Sequence, residues 1–364
     1  MSRSSTTSCS APAGCCHKAR SVRSGGRDRE SWEEIPIIMK TVLIQNKRTV
    51  LADVPVPACR EGEILVRVEY AGVNRADLMQ REGAYPPPPG WPDVPGLEIA
   101  GEVCRMSETA RQRSSLRIGD KVCALLGGGG YAEYAAVPCE LALPLPEGID
   151  TLTGAAIPEA YCTAYLNLFL EGGLQKGETV YVTAGASGVG IAVTQLAKAF
   201  GARVLTSVRS EEKKRAIAKF GADVIVNLKA ESLIDVFENN PVDLVIDSVG
   251  GPDAGALFAR LNRGGRWICI ATMGGDVSEF DLRIAYKKGL RLIGSTLRSR
   301  TNEVKHEVLS RLREAFFPRF ALGEIRPEIY RVFDLEAVEE AHAEMQNNRN
   351  IGKIILRAGC ADAP

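Results

Sequence analysis

The sequence predicts an α/β protein in which a β-rich, barrel-like domain precedes a doubly wound parallel sheet. Three observations support this fold class. Short strand-like runs punctuated by Pro and Gly fill residues 39–150, apolar strands alternate with helices from about residue 151, and a glycine-rich turn at 184–190 joins a strand to a helix. Many short strands with irregular loops favour a barrel, and strands that alternate with helices favour a parallel sheet.

Length and charge narrow the class of protein. The 364 residues suffice for two domains of ordinary size, and 45 basic side chains balance 45 acidic ones. A balanced charge gives no indication of nucleic-acid or anionic-membrane partners. No uninterrupted apolar run approaches the roughly 20 residues of a membrane helix. We therefore expect a small-molecule substrate, with neither a nucleic acid nor a membrane as partner.

Cysteine and histidine usage disfavours disulfides and histidine chemistry. The ten cysteines are scattered and form no C-x-x-C pair, which indicates a reducing compartment without a disulfide framework. The three histidines, His17, His306 and His342, are far apart. A histidine-based metal site or catalytic triad is therefore not expected.

Residues 1–38 differ in composition from the rest of the chain. They are rich in Ser, Gly and Arg, and up to Arg27 they contain five basic residues and no acidic one. This composition fits a transit peptide, although no amphipathic apolar face is present. An equally good interpretation is that translation starts at Met39 and that residues 1–38 are a disordered or non-translated extension. We expect a cytoplasmic protein, with a mitochondrial or plastid location as the alternative.

The next segment, 39–153, is predicted to form the barrel-like domain. Its strand-like runs contain β-branched and aliphatic residues, and Pro and Gly separate them. These runs are Thr41–Ile44, Glu63–Val68 and Asp120–Leu126.

Residues 154–296 are predicted to form the parallel-sheet domain, and residues 297–364 a return to the first domain. Apolar strands bounded by helices are typical of doubly wound sheets. The predicted strands are Thr179–Thr183, Arg203–Thr206, Val224–Val226, Asp243–Ser248, Arg266–Ala271, Leu290–Gly294 and Gly352–Leu356. The predicted helices are Gly154–Leu170, Ile191–Phe200, Glu211–Phe220, Ser232–Asn239, Ala254–Leu261, Glu303–Phe317 and Leu335–Asn347.

The glycine-rich turn predicts a dinucleotide diphosphate site. Unpaired N–H groups and the helix dipole favour anions where a strand leads through small residues into a helix. The spacing departs from G-x-G-x-x-G, because Ser187 stands at the middle glycine, so an ordinary strand–turn–helix corner is the alternative. Glycine pairs at two further strand ends, 250–251 and 274–275, favour the dinucleotide. The turn residues expected at the cofactor are Ala184, Gly185, Ser187, Gly188, Val189 and Gly190.

The end of the second strand indicates NADPH rather than NADH. Proteins that select NAD usually place an acid there, about 20 residues past the glycine turn, and this chain has none. Arg209, Ser210 and Lys213 instead offer a guanidinium, a hydroxyl and an ammonium to a 2′-phosphate. The alternative is a solvated helix face, since Glu211 and Glu212 lie alongside.

Over residues 39–357 the chain resembles the medium-chain dehydrogenases/reductases. Gly96-Leu-Glu-Ile-Ala-Gly101 and Ala155-Ala-Ile-Pro158 are similar to recurring segments of that superfamily. The resemblance implies a GroES-like catalytic domain of β-barrel type, completed by the tail, and a Rossmann nucleotide-binding domain.

The zinc-free quinone oxidoreductases are the branch that the chain resembles most. Asn74 and Leu97 stand where zinc-dependent members have Cys and His, and the four-cysteine lobe is missing. Several segments are similar to the p53-inducible quinone oxidoreductase group, although Leu228 replaces a tyrosine common in relatives. The matching segments are Asn74–Arg81, Tyr85–Pro88, Ile157–Ala160, Ala184–Gly190, Leu297–Arg300 and Asn350–Ile354.

This resemblance implies an NADPH-dependent quinone reductase without zinc or another metal. Tyr85 and Asn74 are expected to line the acceptor cleft, with Asp77 as a weaker catalytic candidate that otherwise caps a helix. The further residues implied to bind the cofactor are Asn227, Ser248, Val249, Gly250, Met273, Gly274, Gly275 and Lys353. An ortho-quinone is the expected acceptor. A homodimer through the edge segment 290–296 is expected as well.

Two alternatives remain open at this point. One is an NADPH-dependent reductase of alkenal or enoyl C=C bonds on the same scaffold, which only the shape of the acceptor pocket separates from a quinone reductase. The other is an NADPH-binding protein with little turnover. The sequence identifies neither the natural acceptor nor whether one-electron steps compete with hydride transfer.

Overall fold

The computed structural model describes residues 37–359. The predicted extension 1–38 lies outside the described residues apart from its last two. The predicted domain boundaries at 153 and 296 stay predictions.

A β-hairpin opens the described chain. Strands β1 (Ile38–Gln45) and β2 (Arg48–Pro55) are antiparallel, and Gln45 pairs with Arg48. The turn residues Asn46 and Lys47 have φ values of 49° and 60°. Left-handed φ at both positions is the requirement of a two-residue type I′ turn, whose twist matches that of the strands.

The first large sheet is mostly antiparallel and is closed by the end of the chain. Within residues 37–359 its order is β14-β15-β3-β4-β5-β7, with β6 paired to β3. The long central strand therefore pairs with three neighbours, and one of them, the last strand, lies antiparallel to it with Ile354 opposite Val73. The strands are β3 (Glu63–Val73), β4 (Glu98–Met106), β5 (Lys121–Leu125), β6 (Tyr134–Pro138), β7 (Ala142–Pro144), β14 (Ile329–Asp334) and β15 (Lys353–Arg357).

The second sheet is parallel. Within the described residues its order is β10-β9-β8-β11-β12-β13, so the strand order reverses between β8 and β11. Ligands of open parallel sheets bind at such a reversal, outside the carboxyl ends of the strands. The strands are β8 (Thr179–Val182), β9 (Arg203–Val208), β10 (Val224–Asn227), β11 (Leu244–Asp247), β12 (Arg266–Cys269) and β13 (Arg291–Gly294).

Helices cover both sheets, and several begin at a serine. The side-chain oxygens of Ser187, Ser210 and Ser232 each accept the N–H three residues on, which satisfies one unpaired donor of the first turn. The helices are α1 (Arg75–Arg81), α2 (Glu108–Arg113), α3 (Thr151–Gly154), α4 (Pro158–Tyr165), α5 (Gly188–Phe200), α6 (Glu211–Ile217), α7 (Leu233–Asn239), α8 (Ala254–Phe258), α9 (Leu282–Lys288), α10 (Asn302–Ala321) and α11 (Val338–Gln346).

An aromatic cluster joins the helices that lie between the two sheets. A π-helical turn, Leu166–Glu171, continues α4 and places Phe169 against Phe200 of α5 and Phe316 of α10, with ring centroids 5.0 and 5.9 Å apart. Tyr161 meets Phe320 of α10 edge-on at 4.9 Å. Such pairs contribute about 0.5–1.5 kcal/mol each beyond the apolar area they bury.

The predicted α/β class is confirmed: an antiparallel sheet precedes a doubly wound parallel one, and the final strand returns to the first sheet. Over residues 37–359 no helix is both long enough and apolar enough to cross a bilayer.

Candidate active site

The glycine-rich turn lies at the point where the order of the parallel sheet reverses. β8 leads into Ala184, whose φ of 52° is left-handed, and the chain then enters α5 through Ser187. The Ser187 hydroxyl accepts the Gly190 N–H at 3.0 Å. The serine that interrupts the glycine pattern is therefore the N-cap of the helix.

The glycines of this turn are required by close packing. A Cβ at Gly190 would lie 2.5 Å from the Ala184 carbonyl oxygen, and one at Gly185 would collide with Thr206 of β9. At Gly188 a Cβ would lie 2.6 Å from Cδ of Lys353. These three positions therefore bring helix, neighbouring strand and the C-terminal lysine against one another.

The loops after β11 and β12 join each other beside this turn. Gly274 donates its N–H to the Val249 carbonyl at 2.6 Å, and Gly250 forms a parallel bridge with Gly275. The Ser248 N–H donates to Thr183 at the end of β8 at 2.8 Å. The structure thus brings the predicted residues of these two loops, including the exposed Met273, to the same edge of the sheet as the turn.

The three residues expected at a 2′-phosphate cluster after β9 but are not equally available. Arg209 is exposed and has no ion pair with any residue from 37 to 359. Ser210 caps α6 by accepting the Lys213 N–H. The Lys213 ammonium donates to the carbonyls of Asn348 and Asn350 at 2.6 and 3.1 Å, and burial lowers its pKa.

Asn227 ends β10 with its side chain and N–H engaged locally. Its N–H donates to Glu231, its side-chain Nδ2 donates to Glu211 at 3.4 Å, and its side-chain Oδ1 accepts the Lys229 N–H. The adjacent Leu228 is exposed. These contacts stabilise the loop after β10.

A buried lysine joins the C-terminal strand to the first domain. The Lys353 ammonium donates to the Val73 carbonyl, to Oδ1 of Asn74 at 2.7 Å and to Oε1 of Glu98. Lys353 was expected to bind the cofactor, but the structure places its nitrogen among groups of β3, α1 and β4. Only its aliphatic stem lies beside the glycine-rich turn, at Gly188.

The amide of Asn74 is consumed by this network. Besides accepting from Lys353, it donates from Nδ2 to Glu98 at 2.9 Å and to the Gly72 carbonyl at 3.3 Å. Glu98 is also satisfied, since its Oε2 accepts the Glu159 N–H at 2.8 Å. The side-chain amide of Asn74 is therefore fixed in position, with its hydrogen bonds made inside the protein.

Asp77 is a buried residue whose carboxylate holds the loop before α1 in place. Its carboxylate accepts the N–H groups of Asn74 and Gly96 and the Tyr131 hydroxyl, at 2.7, 2.9 and 2.9 Å. Burial raises its pKa, and these three donors act against that rise. Because Asp77 is fully buried, the structure gives it the capping role that the sequence offered as its alternative.

Tyr85, which is expected at the acceptor cleft, has a free phenol. The side chain is partly exposed, and no residue in the described range bonds to its hydroxyl. The Arg298 guanidinium lies over its ring, 5.1 Å from the centroid, and donates to its backbone carbonyl at 2.8 Å. Burial and the Glu159 charge raise the Tyr85 pKa against the opposing effect of Arg298, so the phenol remains a proton-bearing donor at neutral pH.

The sequence reasoning did not single out three charged residues, Arg298, Lys305 and Glu159, whose charges act on one another. Arg298 is buried and also donates to the Gly127 carbonyl and to Gln80. Lys305 of α10 is 1% exposed, and its nitrogen lies 5.5 Å from the centroid of the Trp91 ring. Glu159 opens α4. Glu159 and Arg298 lie in the matched segments 157–160 and 297–300. The sequence alone does not show that they act on Tyr85.

No metal-binding cluster accompanies these groups. Across residues 37–359 there is no set of three or more His, Cys, Asp or Glu side chains suited to a metal ion. At the positions of interest, Leu97 has no donor atom, and Asn74 and Glu98 bond to an ammonium.

Comparison with known proteins gives the family. The chain matches the models described as alcohol dehydrogenase GroES-like domain over residues 60–147 and zinc-binding dehydrogenase over residues 188–314. It is 32% identical to a quinone oxidoreductase of Sus scrofa over 311 residues, which cover 84% of this chain and 92% of the relative. The chain belongs to the quinone oxidoreductases of the medium-chain dehydrogenase/reductase superfamily.

Solved members of the superfamily have the same fold. The quinone oxidoreductase of Thermus thermophilus, solved also in complex with NADPH, is 30% identical with a TM-score of 0.73, covering 88% of this chain and all of that one. A putative alcohol dehydrogenase from Sinorhizobium meliloti 1021 is 28% identical with a TM-score of 0.77, covering 90% and 98% of the two chains. The GroES-like and Rossmann domains expected of a quinone oxidoreductase are thereby confirmed, and the chain is an oxidoreductase of this superfamily.

Proposed function

We propose that this quinone oxidoreductase reduces quinones, ortho-quinones in particular, with NADPH and without a metal ion. The observation that carries the proposal is the network of Lys353, Asn74 and Glu98. A fixed ammonium binds the side-chain oxygens of Asn74 and Glu98, the first of which is expected to line the acceptor cleft. A quinone is already a good hydride acceptor, so it needs orientation and hydrogen bonding rather than a Lewis acid.

The groups at the nucleotide edge of the sheet fit NADPH. The N-terminus of α5 favours the diphosphate, and the unpaired guanidinium of Arg209 suits a 2′-phosphate. β9 ends in Ser207 and Val208, with no acid there to hold a free 2′-hydroxyl. The complex of the Thermus thermophilus relative with NADPH supports this assignment.

NADPH supplies the hydride when it is bound. Tyr85 donates a hydrogen bond from its phenol to the acceptor oxygen, where negative charge grows. Arg298 fixes the tyrosine loop through its bonds to Tyr85, Gly127 and Gln80, and its charge stabilises the same oxygen. Lys353 and Asp77 hold Asn74 and α1 in place beside the cleft.

An NADPH-oxidation assay on the full chain tests this proposal. We expect turnover with an ortho-quinone, less with a para-quinone and none with an enal, and an unchanged rate after exhaustive treatment with a metal chelator. Turnover of the enal alone would replace the proposal with a C=C reductase. Tight NADPH binding with no acceptor reduced would replace it with a binding protein, and loss of rate on chelation would contradict the metal-free mechanism.

We also propose a homodimer formed through the outer edge of the parallel sheet. β13 is the last strand of that sheet in the described residues, and an unpaired edge offers N–H and C=O groups to a second copy. Exposed apolar side chains occur on this strand and in the segment leading to it. They are Met273, Val277, Leu282, Tyr286 and Leu292.

A further inference from the structure

Glu159, the second residue of α4, has a carboxyl oxygen with no partner. Its Oε2 is shielded from solvent and accepts no hydrogen bond from any described residue. The residue as a whole is partly exposed. An unpaired buried carboxylate is costly, and a buried polar group of this kind calls for a functional explanation.

The other two carboxylates of the cleft are satisfied. Glu98 accepts from Asn74, from Lys353 and from the Glu159 N–H, and Asp77 accepts three donors as described above. A proton that enters this cluster is therefore held on Glu159 rather than on its acidic neighbours.

Charges from four elements act on the Glu159 carboxyl. They are Glu98 of β4 and Asp77 of α1, which disfavour its ionised form, and Lys353 of β15 and Lys305 of α10, which favour it. Burial is the largest effect, the Glu98 charge is the next, and together they raise the Glu159 pKa to about 8. At pH 7 the carboxyl is thus mostly protonated, as the absent hydrogen-bond donors also indicate.

Glu159 adjoins the network of Lys353, Asn74 and Glu98, because its own N–H donates to Oε2 of Glu98 at 2.8 Å. Its charge acts on the pKa of Tyr85, of Arg298 and of Cys162 one turn along α4. The start of α4 therefore lies beside the Glu98 network, and the charge of Glu159 acts on both the free phenol and the guanidinium.

We propose that Glu159 is the proton donor of the reaction. The inference rests on the proposed function. Conversion of a quinone to a hydroquinone adds a hydride, which carries two electrons, and one proton. The hydride comes from NADPH, which leaves as NADP⁺. The O–H bond of Glu159 breaks as the new O–H bond forms on the acceptor oxygen, and the carboxylate left behind regains its proton from water before the next turnover.

Direct titration of the carboxyl provides a test that needs no turnover. In the cofactor-free full chain, infrared difference spectroscopy should show a protonated-carboxyl band that disappears as pH rises through about 8. The band should be absent from Glu159→Gln and present in the control Glu307→Gln, an exposed glutamate on α10. A band that Glu159→Gln retains, or no band at all, overturns the proposal.

Kinetics test the role of that proton. With a quinone at pH 7 we expect kcat of Glu159→Gln to fall about 100-fold, within the usual contribution of a general acid. The decline of wild-type kcat above about pH 8 should vanish in this variant and remain in Glu307→Gln. Glu159→Asp should restore the pH-dependent decline at a lower rate. An unchanged kcat and pH profile in Glu159→Gln overturns the proposal.

Two controls separate the possible failures. The melting temperature and the NADPH dissociation constant of Glu159→Gln should equal those of the wild type, and if this variant misfolds, Glu159→Asp carries the kinetic test. A wild type that reduces no quinone refutes the proposed function, and the infrared titration still reports the Glu159 proton. A wild type that reduces quinones while Glu159→Gln keeps its rate refutes the role of Glu159 alone.

Discussion

The hydroxyl of Tyr85 is the free donor beside the buried guanidinium of Arg298. We expect Tyr85→Phe to lower kcat for quinones about 10- to 100-fold, because a donor to the growing charge is lost. NADPH affinity should not change, because the glycine-rich turn keeps its structure. Steady-state kinetics and fluorescence titration measure the two quantities. Tyr330→Phe, an exposed tyrosine of β14, is the control, and an unchanged kcat in Tyr85→Phe would show that the phenol is not used.

Arg209 is the free cation of the expected phosphate site. We expect Arg209→Ala to weaken NADPH binding by about 10- to 100-fold, the effect of losing a charge-assisted hydrogen bond, and to leave NADH binding unchanged. Lys213→Ala should have a smaller effect, since that ammonium already binds two carbonyls. Titration with both nucleotides measures this, with the exposed Arg215→Ala on the same helix as control. Equal losses for NADPH and NADH would refute the phosphate site.

His342 gives stability a dependence on pH. It is fully buried beside Tyr131, and burial together with the Arg81 charge lowers its pKa from 6.5 to about 4. The unfolded chain therefore binds the proton more tightly, and stability present at neutral pH is lost as pH falls from about 6.5 to about 4.

The difference between the ordinary His342 pKa of 6.5 and the folded value of about 4 corresponds to roughly 3 kcal/mol in the free energy of unfolding. Between pH 7 and pH 4 the protonation of His342 should lower the free energy of unfolding of the wild type by about that amount. His342→Gln should remove this contribution. Urea titration at the two pH values measures the change. The exposed His306→Gln should behave as wild type. Parallel pH profiles for His342→Gln and the wild type would refute a neutral buried histidine.

The sequence identified Asn74, Asp77 and Lys353 as candidate site residues, but it did not indicate the hydrogen bonds that they make. Asn74 and Asp77 belong to a motif that is visible in the chain. The partner of the Asn74 side-chain oxygen, Lys353, lies 279 residues away. Lys353 was assigned to the cofactor from its segment, and only the fold shows where its nitrogen points. Arg298 and Glu159 were invisible as site residues because their relation to Tyr85 is entirely tertiary.

Two departures from the predicted helix boundaries occur at prolines. The helix predicted over 154–170 is divided, because Pro158 has no N–H to donate and begins α4 at its first position. The helix predicted to end at Phe317 instead continues through Pro318 to Ala321. Phe316, Phe317 and Phe320 are all buried, and their packing outweighs the hydrogen bond lost at the proline.

The aromatic cluster makes α10 sensitive to truncation. We expect Phe316→Ala to lower the free energy of unfolding by about 3–5 kcal/mol, the usual cost of a phenylalanine-sized cavity. Chemical denaturation measures the change. Leu322→Ala, an exposed leucine just past the end of the same helix, should alter stability by less than about 0.5 kcal/mol. Equal effects of the two substitutions would contradict the packing described here.

At the scale of the whole molecule, the proposed dimer makes the edge of the sheet testable. We expect Leu292→Asp on β13 to convert dimers to monomers, because a buried charge in an interface is costly. Light scattering after size exclusion gives the mass. Leu322→Asp adds the same charge at another exposed leucine and should leave the mass unchanged. A monomeric wild type, or a dimeric Leu292→Asp variant, would refute this edge as the interface.

The overall architecture was the most predictable level. Alternation of apolar strands and helices identified the parallel sheet, because strands buried on both faces are apolar throughout. The first sheet was less accessible to sequence reasoning, since β15 pairs with β3 from the far end of the chain, and no local pattern encodes that pairing.

The bonds of Lys353 also mean that the network around Glu98 is completed only late in the synthesis of the chain. The three acceptors of its ammonium are 255 to 280 residues earlier in the chain. A ribosome therefore makes almost the entire polypeptide before the carboxylate of Glu98 gains its counter-charge. Until then that carboxylate lacks the cation its burial requires, and the edge of β3 that β15 will cover stays open to other chains. A chain terminated before residue 353 would lose the cation that binds Glu98 and the closure of the first sheet together.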